Sequence, residues 1–351
     1  MVSDDEKSPK RLRTRHRRFD WWSKVLGNPK HVTAPMVDLS ELAFRMMTRS
    51  YGADLCYTPM LHSKNFAESA QYRKFNFFTC PEDQPLIAQF CGDDGETIVR
   101  AAQFIQDQVS GVDLNLGCPQ GIAKKGHYGS YLLEEPDLVV DIASKMVQGL
   151  HVPVTCKIRL VSTGDKGLQD TIKLINSLEA AGIDALCVHG RTKEMKGQST
   201  GPADWDSIMK IKARFDTFPI ILNGGIETYE DVQNAFAHTA VDAVMSSEAI
   251  LEMPSLFSGQ VKSQDEFAME YMQLAERYPH QGPVENRCIK THMFRFLYAG
   301  LQRHTDLRDD LGNAKNIDEI KAVVTTMRER RLTEDQSFPD KGWYRRYRDP
   351  L

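Results

Sequence analysis

Short apolar or β-branched runs recur along residues 32–246, each followed by a segment of helical spacing, and this alternation restricts the chain to an α/β architecture with parallel strands. The runs fall at 32–36, 54–58, 86–91, 112–116, 153–160, 184–189, 219–223 and 242–246. Between them, Glu41 to Ser50, Glu96 to Val109 and Leu168 to Ala181 have helical periodicity, and Thr228 with Asp231 reads as a helix start. Eight such units are the number that closes a parallel (β/α)8 (TIM) barrel. A doubly wound sheet would alternate in the same way, but no G-x-G-x-x-G follows any of the runs, and the first ends in Ala34-Pro-Met-Val37 instead. The expected fold is therefore a TIM barrel.

Beyond about residue 258 the strand signals stop. Phe267, Tyr271 and Leu274 mark one amphipathic helix, Ile289, Met293, Phe296 and Leu297 a second, and Ile317, Ile320, Val324 and Met327 a third. Ser263 with Glu266 and Asn316 with Glu319 supply capping boxes for two of them. The division expected is a basic unstructured arm over 1–20, a barrel over 21–257, a small helical bundle over 258–335 and a basic, aromatic tail over 336–351. With 351 residues and 41% hydrophobic content, barrel and bundle can each bury a core of their own. The net charge of −4 gives no overall attraction to nucleic acid, so basic surface must be local, as in residues 7–18 and Trp343-Tyr-Arg-Arg-Tyr-Arg348. No apolar run reaches membrane-spanning length and the charged N-terminus is unlike a signal peptide, so a soluble protein of the cytoplasm or nucleus is expected, acting as a monomer. Seven cysteines without a C-x-x-C pair fit neither a disulfide framework nor a zinc site.

The chemistry concentrates at the carboxyl ends of the runs, where barrel enzymes keep their active sites. The fourth run passes into Asn115-Leu-Gly-Cys-Pro119, with glycines at 117, 121, 126 and 129 shaping the loop around Cys118. In the fifth, Lys157 and Arg159 share one face, opposite Cys156 and Ile158. A buried ion pair would account for such charges, and so would an anionic ligand; His189 and Arg191 at the end of the sixth run favour the ligand. Asn223-Gly-Gly225 and Ser247-Glu248 end the last two runs, the usual place for phosphate in such barrels. Together with Gln89 and Pro35-Met36, these residues outline a flat phosphorylated cofactor, and FMN fits the footprint. Lys157 would stabilise negative charge on a reduced flavin. A thiol, mostly protonated at neutral pH, would donate a proton while the flavin delivers hydride, so the reaction expected is reduction of a carbon–carbon double bond.

The motifs Ala34-Pro-Met, Leu114-Asn-Leu-Gly-Cys-Pro119, Cys156-Lys-Ile-Arg159, Val188-His-Gly-Arg-Thr192 and Asn223-Gly-Gly225 resemble those of the tRNA-dihydrouridine synthases in type and order, over nearly all of residues 30–250. The resemblance implies an FMN barrel with a C-terminal helical domain that helps to hold tRNA. NADPH or NADH would reduce FMN, and reduced flavin would convert uridine to 5,6-dihydrouridine with Cys118 protonating C5. It further implies that Pro35, Met36, Val37, Gln89, Lys157, His189, Asn223, Gly224, Gly225, Ser247 and Glu248 contact FMN, and that Asn115, Arg159 and Arg191 face the substrate base. No metal and no protein partner is implied. Where many bacterial members carry Gly-Arg, this chain has Ser247-Glu248, and it reads Lys125-Gly-His-Tyr-Gly129 where they are rich in Gly and Ala. Both features resemble the eukaryotic branch acting on D-loop positions 16 and 17. A flavin barrel reducing a small pyrimidine or dihydroorotate, and a non-catalytic RNA-binding barrel, are the competing readings; the first needs no appended helices, the second no Cys118, Lys157 and His189.

Overall fold

Eight parallel strands close on themselves in the computed structural model: β1 (His31–Thr33), β2 (Leu55–Tyr57), β3 (Leu86–Cys91), β4 (Gly111–Leu116), β5 (Val154–Arg159), β6 (Ala185–His189), β7 (Ile220–Asn223) and β8 (Ala243–Ser246). Closure is the β1–β8 pairing, with Val32 opposite Met245. The structure describes residues 15–280, 282 and 285–334; the basic stretch before residue 15 and the tail with Trp343–Arg348 lie outside them. All eight expected runs contain a strand. A further two-residue strand, Leu61–His62, pairs with the end of β3 and had no signal of its own at that length.

Alternation along each strand divides its side chains between two environments. Cys156 and Ile158 of β5 join the large cluster under the surrounding helices, whereas Leu55, Ile87, Cys187, Ile221 and Met245 of the other strands form a separate inner cluster. That inner cluster is closed from below by Trp21, Trp22 and Leu26. Trp21 lies in a helix spanning Arg15–Lys24 and donates its indole N–H to the Ser110 carbonyl at 3.0 Å, beside the start of β4.

The expected boundary of an unstructured arm at residue 20 is thereby corrected. Two adjacent tryptophans need an apolar seat, and helix formation from Arg15 delivers them to the open floor of the barrel. Arg18, 4% exposed, is drawn in as well and donates to the Glu179 carbonyl at 3.2 Å.

The C-terminal segment contains five helices among the described residues, Gln264–Arg277, Glu285–Phe296, Tyr298–Arg303, Thr305–Asn313 and Ile317–Glu334, where three were expected. The two additional ones are short, and their few apolar positions carry little periodic signal. The capping box of Ser263 with Glu266 forms; at the second site Asn316 Oδ1 accepts from the Glu319 N–H, but Glu319 in return takes the Asn316 side-chain amide and the Lys315 N–H instead of the Asn316 backbone.

The expectation of a separate core for this segment does not hold. One hydrophobic cluster runs from Phe44 and Met47 of the helix Leu42–Ser50 through Phe267, Tyr271, Met293 and Phe296 to Val324 and Met327. A polar knot sits within the seam: Glu41 accepts from the Tyr271 hydroxyl at 2.6 Å and stands 3.1 Å from His292 Nε2. The His292 ring stacks on Phe44, with centroids 4.7 Å apart.

Candidate active site

The carboxyl ends of the strands surround a cavity of about 430 Å³, a size ordinary for small-molecule sites, which span roughly 300–1,000 Å³. All fifteen residues singled out from the sequence line it. Pro35, Met36 and Val37 enter from the turn after β1, Gln89 from β3, Asn115 and Cys118 from the end of β4, and Lys157 and Arg159 from β5. His189 and Arg191 come from β6 and its exit, Asn223, Gly224 and Gly225 from β7 and its turn, and Ser247 and Glu248 from beyond β8. Inward parity on β5 explains why Lys157 and Arg159 face the cavity while their neighbours pack outward.

The cationic side of the cavity is tightly held. Lys157 Nζ donates to Asn223 Oδ1 at 2.9 Å, and Asn223 Nδ2 in turn donates to the Met245 carbonyl at 2.9 Å, so the amide cannot turn over without losing both bonds. Burial lowers the Lys157 pKa from its ordinary value. Burial, with Arg159, Lys157 and Arg191 nearby, holds His189 well below the usual imidazole range, leaving a neutral ring. Its Nε2 lies 3.2 Å from Arg191 Nη1, which can only donate, so the ring proton belongs on Nδ1. Arg159 donates from Nε to the Gly117 carbonyl at 2.8 Å and from Nη1 to the Thr192 carbonyl at 2.7 Å. Burial and the Arg191 charge bring its pKa down to about 10, and Glu248 works in the opposite direction.

Two observations mark the cavity as built to receive a ligand. Arg191 Nη2 is buried without a hydrogen-bond partner among the described residues, an expensive state unless something accepts from it. Gly224 and Gly225 have φ of +98° and +77°, and a Cβ at Gly224 would come within 2.7 Å of His189 Cδ2. Backbone thus approaches where side chains are excluded.

Cys118 sits half-buried on the turn after β4, beside Lys157 and Arg159 of the adjacent strand, and that turn is fixed from both sides. Its N–H donates to Asn115 Oδ1 at 3.0 Å, and its carbonyl accepts from Ser130 N at 3.1 Å and Ser130 Oγ at 2.9 Å. Gly129, at φ +73°, lies so close that a Cβ would meet the Cys118 carbonyl oxygen at 2.7 Å. Of the other cysteines, Cys56, Cys91, Cys156, Cys187 and Cys288 are buried and Cys80 is partly so; Cys118 alone of the seven lines the cavity.

Several lining residues escaped the sequence. Arg295 reaches the cavity from the helical segment, and helical spacing alone does not tell which cation turns toward a neighbouring domain. Arg287 instead pairs with Asp38 at 2.6 Å, and Lys290 donates to the Gly312 carbonyl at 2.8 Å. Met60, Met195, Lys196 and Thr200 lie on irregular loops without periodicity to place them.

Beneath the cavity lies Asp113, fully buried, accepting from Thr155 Oγ1 at 2.6 Å and Gln89 Nε2 at 2.9 Å. Burial pushes its carboxyl up to about 6, against these hydrogen bonds and the Lys157 charge. The folded state therefore binds the proton more tightly than the unfolded chain does. The corresponding stability is complete below the unfolded value near 4 and is lost as pH rises through about 6, a change on the order of 3 kcal/mol. Denaturant titrations from pH 4 to pH 7 are expected to show this fall in the wild type and a flatter profile in Asp113→Asn; equal slopes would refute it.

A closed parallel barrel with a cation-lined cavity and one thiol at its carboxyl end has the layout of a TIM-barrel enzyme. The family model described as "Dihydrouridine synthase (Dus)" matches residues 32–336, and the chain belongs to that family. It is 43% identical over 326 residues to a mouse protein named tRNA-dihydrouridine(16/17) synthase (NAD(P)(+))-like, covering 92% of this chain and 66% of that one. To the Saccharomyces cerevisiae tRNA-dihydrouridine(16/17) synthase it is 41% identical over 304 residues, 83% of this chain and 71% of the yeast one. The Schizosaccharomyces pombe protein of that name is 39% identical over 327 residues, covering 89% and 81% respectively.

Proposed function

We propose that this chain is an oxidoreductase that converts uridine to 5,6-dihydrouridine in the D-loop of tRNA, at positions 16 and 17, using FMN as resident cofactor and NADPH or NADH as reductant. The observation that carries the reading is the placement of Cys118 and of the cations Lys157, Arg159 and Arg191 on the walls of one cavity. Likeness to the mouse and yeast proteins supports the positions and the nicotinamide reductant.

Bound FMN supplies the hydride chemistry. Gly224 and Gly225, with Ser247, form the phosphate end, and His189 lies against them as a neutral hydrogen-bonding ring. Lys157, held by Asn223, offsets negative charge developing on the ring system, while Pro35, Met36 and Val37 flank it. Glu248 cannot attract phosphate through its carboxylate, so its contact runs through backbone or other cofactor atoms. Arg191 Nη2 and the free edge of Arg159 hold the uracil carbonyls, and Cys118 gives its proton to C5. Asn115 has most of its amide committed to Gln89 and to the turn around Cys118, so it supports the substrate position more than it contacts the base.

The helical segment 258–335 and the tail 336–351 present the RNA, with Arg295 lying where helix meets cavity. The protein works as a monomer in the cytoplasm or nucleus; no helix among the described residues is long and apolar enough to cross a membrane. Purified protein is expected to be yellow and to form dihydrouridine at positions 16 and 17 of unmodified tRNA with NADPH. Turnover of free uracil or dihydroorotate, with none on tRNA, would instead mark a small-molecule reductase.

A further inference from the structure

A row of hydrogen bonds links the barrel floor to the thiol. Gln89, Asp113 and Thr155 are lateral neighbours on β3, β4 and β5, and Asn115 stands two residues above Asp113 on the same inward face. Asp113 Oδ2 accepts from Gln89 Nε2 at 2.9 Å, and Gln89 Oε1 accepts from Asn115 Nδ2 at 2.7 Å. Asn115 Oδ1 then accepts from the N–H groups of Gly117 at 3.1 Å and Cys118 at 3.0 Å. Gln89 and Asp113 are fully buried and Asn115 is 8% exposed, so water is a poor substitute for any of these partners.

An amide side chain can be placed either way round, and nothing local to Gln89 selects one orientation. The two ends of the row do. Backbone N–H groups at 117 and 118 only donate, so they need the oxygen of Asn115. An ionised carboxylate only accepts, so it needs the nitrogen of Gln89. Both demands impose the same direction on the two amides between them.

We propose that Asp113 is a positioning residue for Cys118: the acceptor on the barrel floor that orients Gln89 and Asn115 and so holds the thiol-bearing turn at a fixed place over the cavity. The inference rests on the reading in which Cys118 is the proton donor. Without an acceptor at 113 Gln89 is free to turn over and present N–H to Asn115, which must then turn in its own right and lose the Cys118 amide. Displacement of a reacting group by about 1 Å is enough to cost on the order of a hundredfold in rate.

The direction of the row, not the charge, is what matters, and this sets the test. In Asp113→Asn the new amide can still offer its oxygen to Gln89 while its nitrogen donates to the Thr155 hydroxyl. In Thr155→Val the carboxylate remains. Only the double variant leaves an amide with nothing to orient it, and Asp113→Leu removes the acceptor altogether.

The four variants are compared with wild type as full-length flavin-loaded protein. Two quantities are read: the single-turnover rate of dihydrouridine formation by the reduced enzyme, and the rate of Cys118 alkylation by iodoacetamide, followed by mass spectrometry. Each single polar variant is expected within about threefold of wild type in both. Asp113→Leu and the double variant are expected to lose about tenfold or more in the single turnover and to shift the alkylation rate about threefold or more, while flavin reduction by NADPH and tRNA affinity stay within about twofold.

Asp113→Asn as impaired as Asp113→Leu would overturn the proposal in favour of a role for charge. A double variant no worse than the product of its singles would overturn it as well. If wild type forms no dihydrouridine, the proposed function fails, yet the alkylation pattern still decides the role of Asp113.

Discussion

Cys118→Ala is expected to retain the proposed flavin and accept hydride from NADPH at close to the wild-type rate, but to form dihydrouridine about a thousandfold more slowly. The size follows from the removal of a general acid, which typically accounts for about 10²–10⁴ in rate. The selectivity follows from the geometry. The thiol is on the turn after β4, next to Lys157 and Arg159 of the neighbouring strand β5, whereas His189 and the Gly224–Gly225 turn stand on β6 and β7, two and three strands round the barrel. The turn itself is held through backbone atoms: Asn115 and Ser130 bond the Cys118 amide and carbonyl, so truncating the side chain leaves those bonds in place. Stopped-flow absorbance separates flavin reduction from its reoxidation by tRNA. Wild-type reoxidation in the variant would remove the thiol from the mechanism.

Asp83→Ala is expected to destabilise the fold by about 3–5 kcal/mol, the range observed when one partner of a buried ion pair is removed. Asp83 is fully buried and accepts from Arg45 Nε at 2.9 Å, Arg45 Nη2 at 2.6 Å and Arg49 Nε at 3.1 Å. Arg45 is itself 1% exposed, so its guanidinium would be left among carbonyls with no compensating charge. The two arginines are one turn apart on the helix Leu42–Ser50. That helix follows the loop of Met36 and Val37, and Arg45 Nη1 holds the Ser40 carbonyl at 2.6 Å. Loss of the carboxylate therefore loosens one wall of the cavity as well as the fold. Guanidinium titration gives the free energy directly; a loss under about 1 kcal/mol would show that water or the neighbouring carbonyls replace the pair.

The barrel was legible because each strand announces itself through a compact apolar run and each inward residue through period-two alternation, as at Lys157 and Arg159. The residues of the site were legible because a barrel gathers its strand ends at one place, so order along the chain becomes position around a ring. The helix Arg15–Lys24 was not, because its arginines read as a basic arm and only the open floor of the barrel gives its tryptophans a destination. Asp113 was passed over for a similar reason. A single carboxylate in a strand carries no motif, and its importance lies in lateral neighbours, Gln89 and Thr155, that are 24 and 42 positions away in sequence.

The unbroken apolar seam between the helix Leu42–Ser50 and the C-terminal helices means that the two halves melt together. A gene fragment ended near residue 258 would strip the cover from Phe44 and Met47 and yield a sticky, aggregation-prone product. Grafting helices from another source onto this barrel would succeed only if they brought a matching greasy surface and a partner for Glu41.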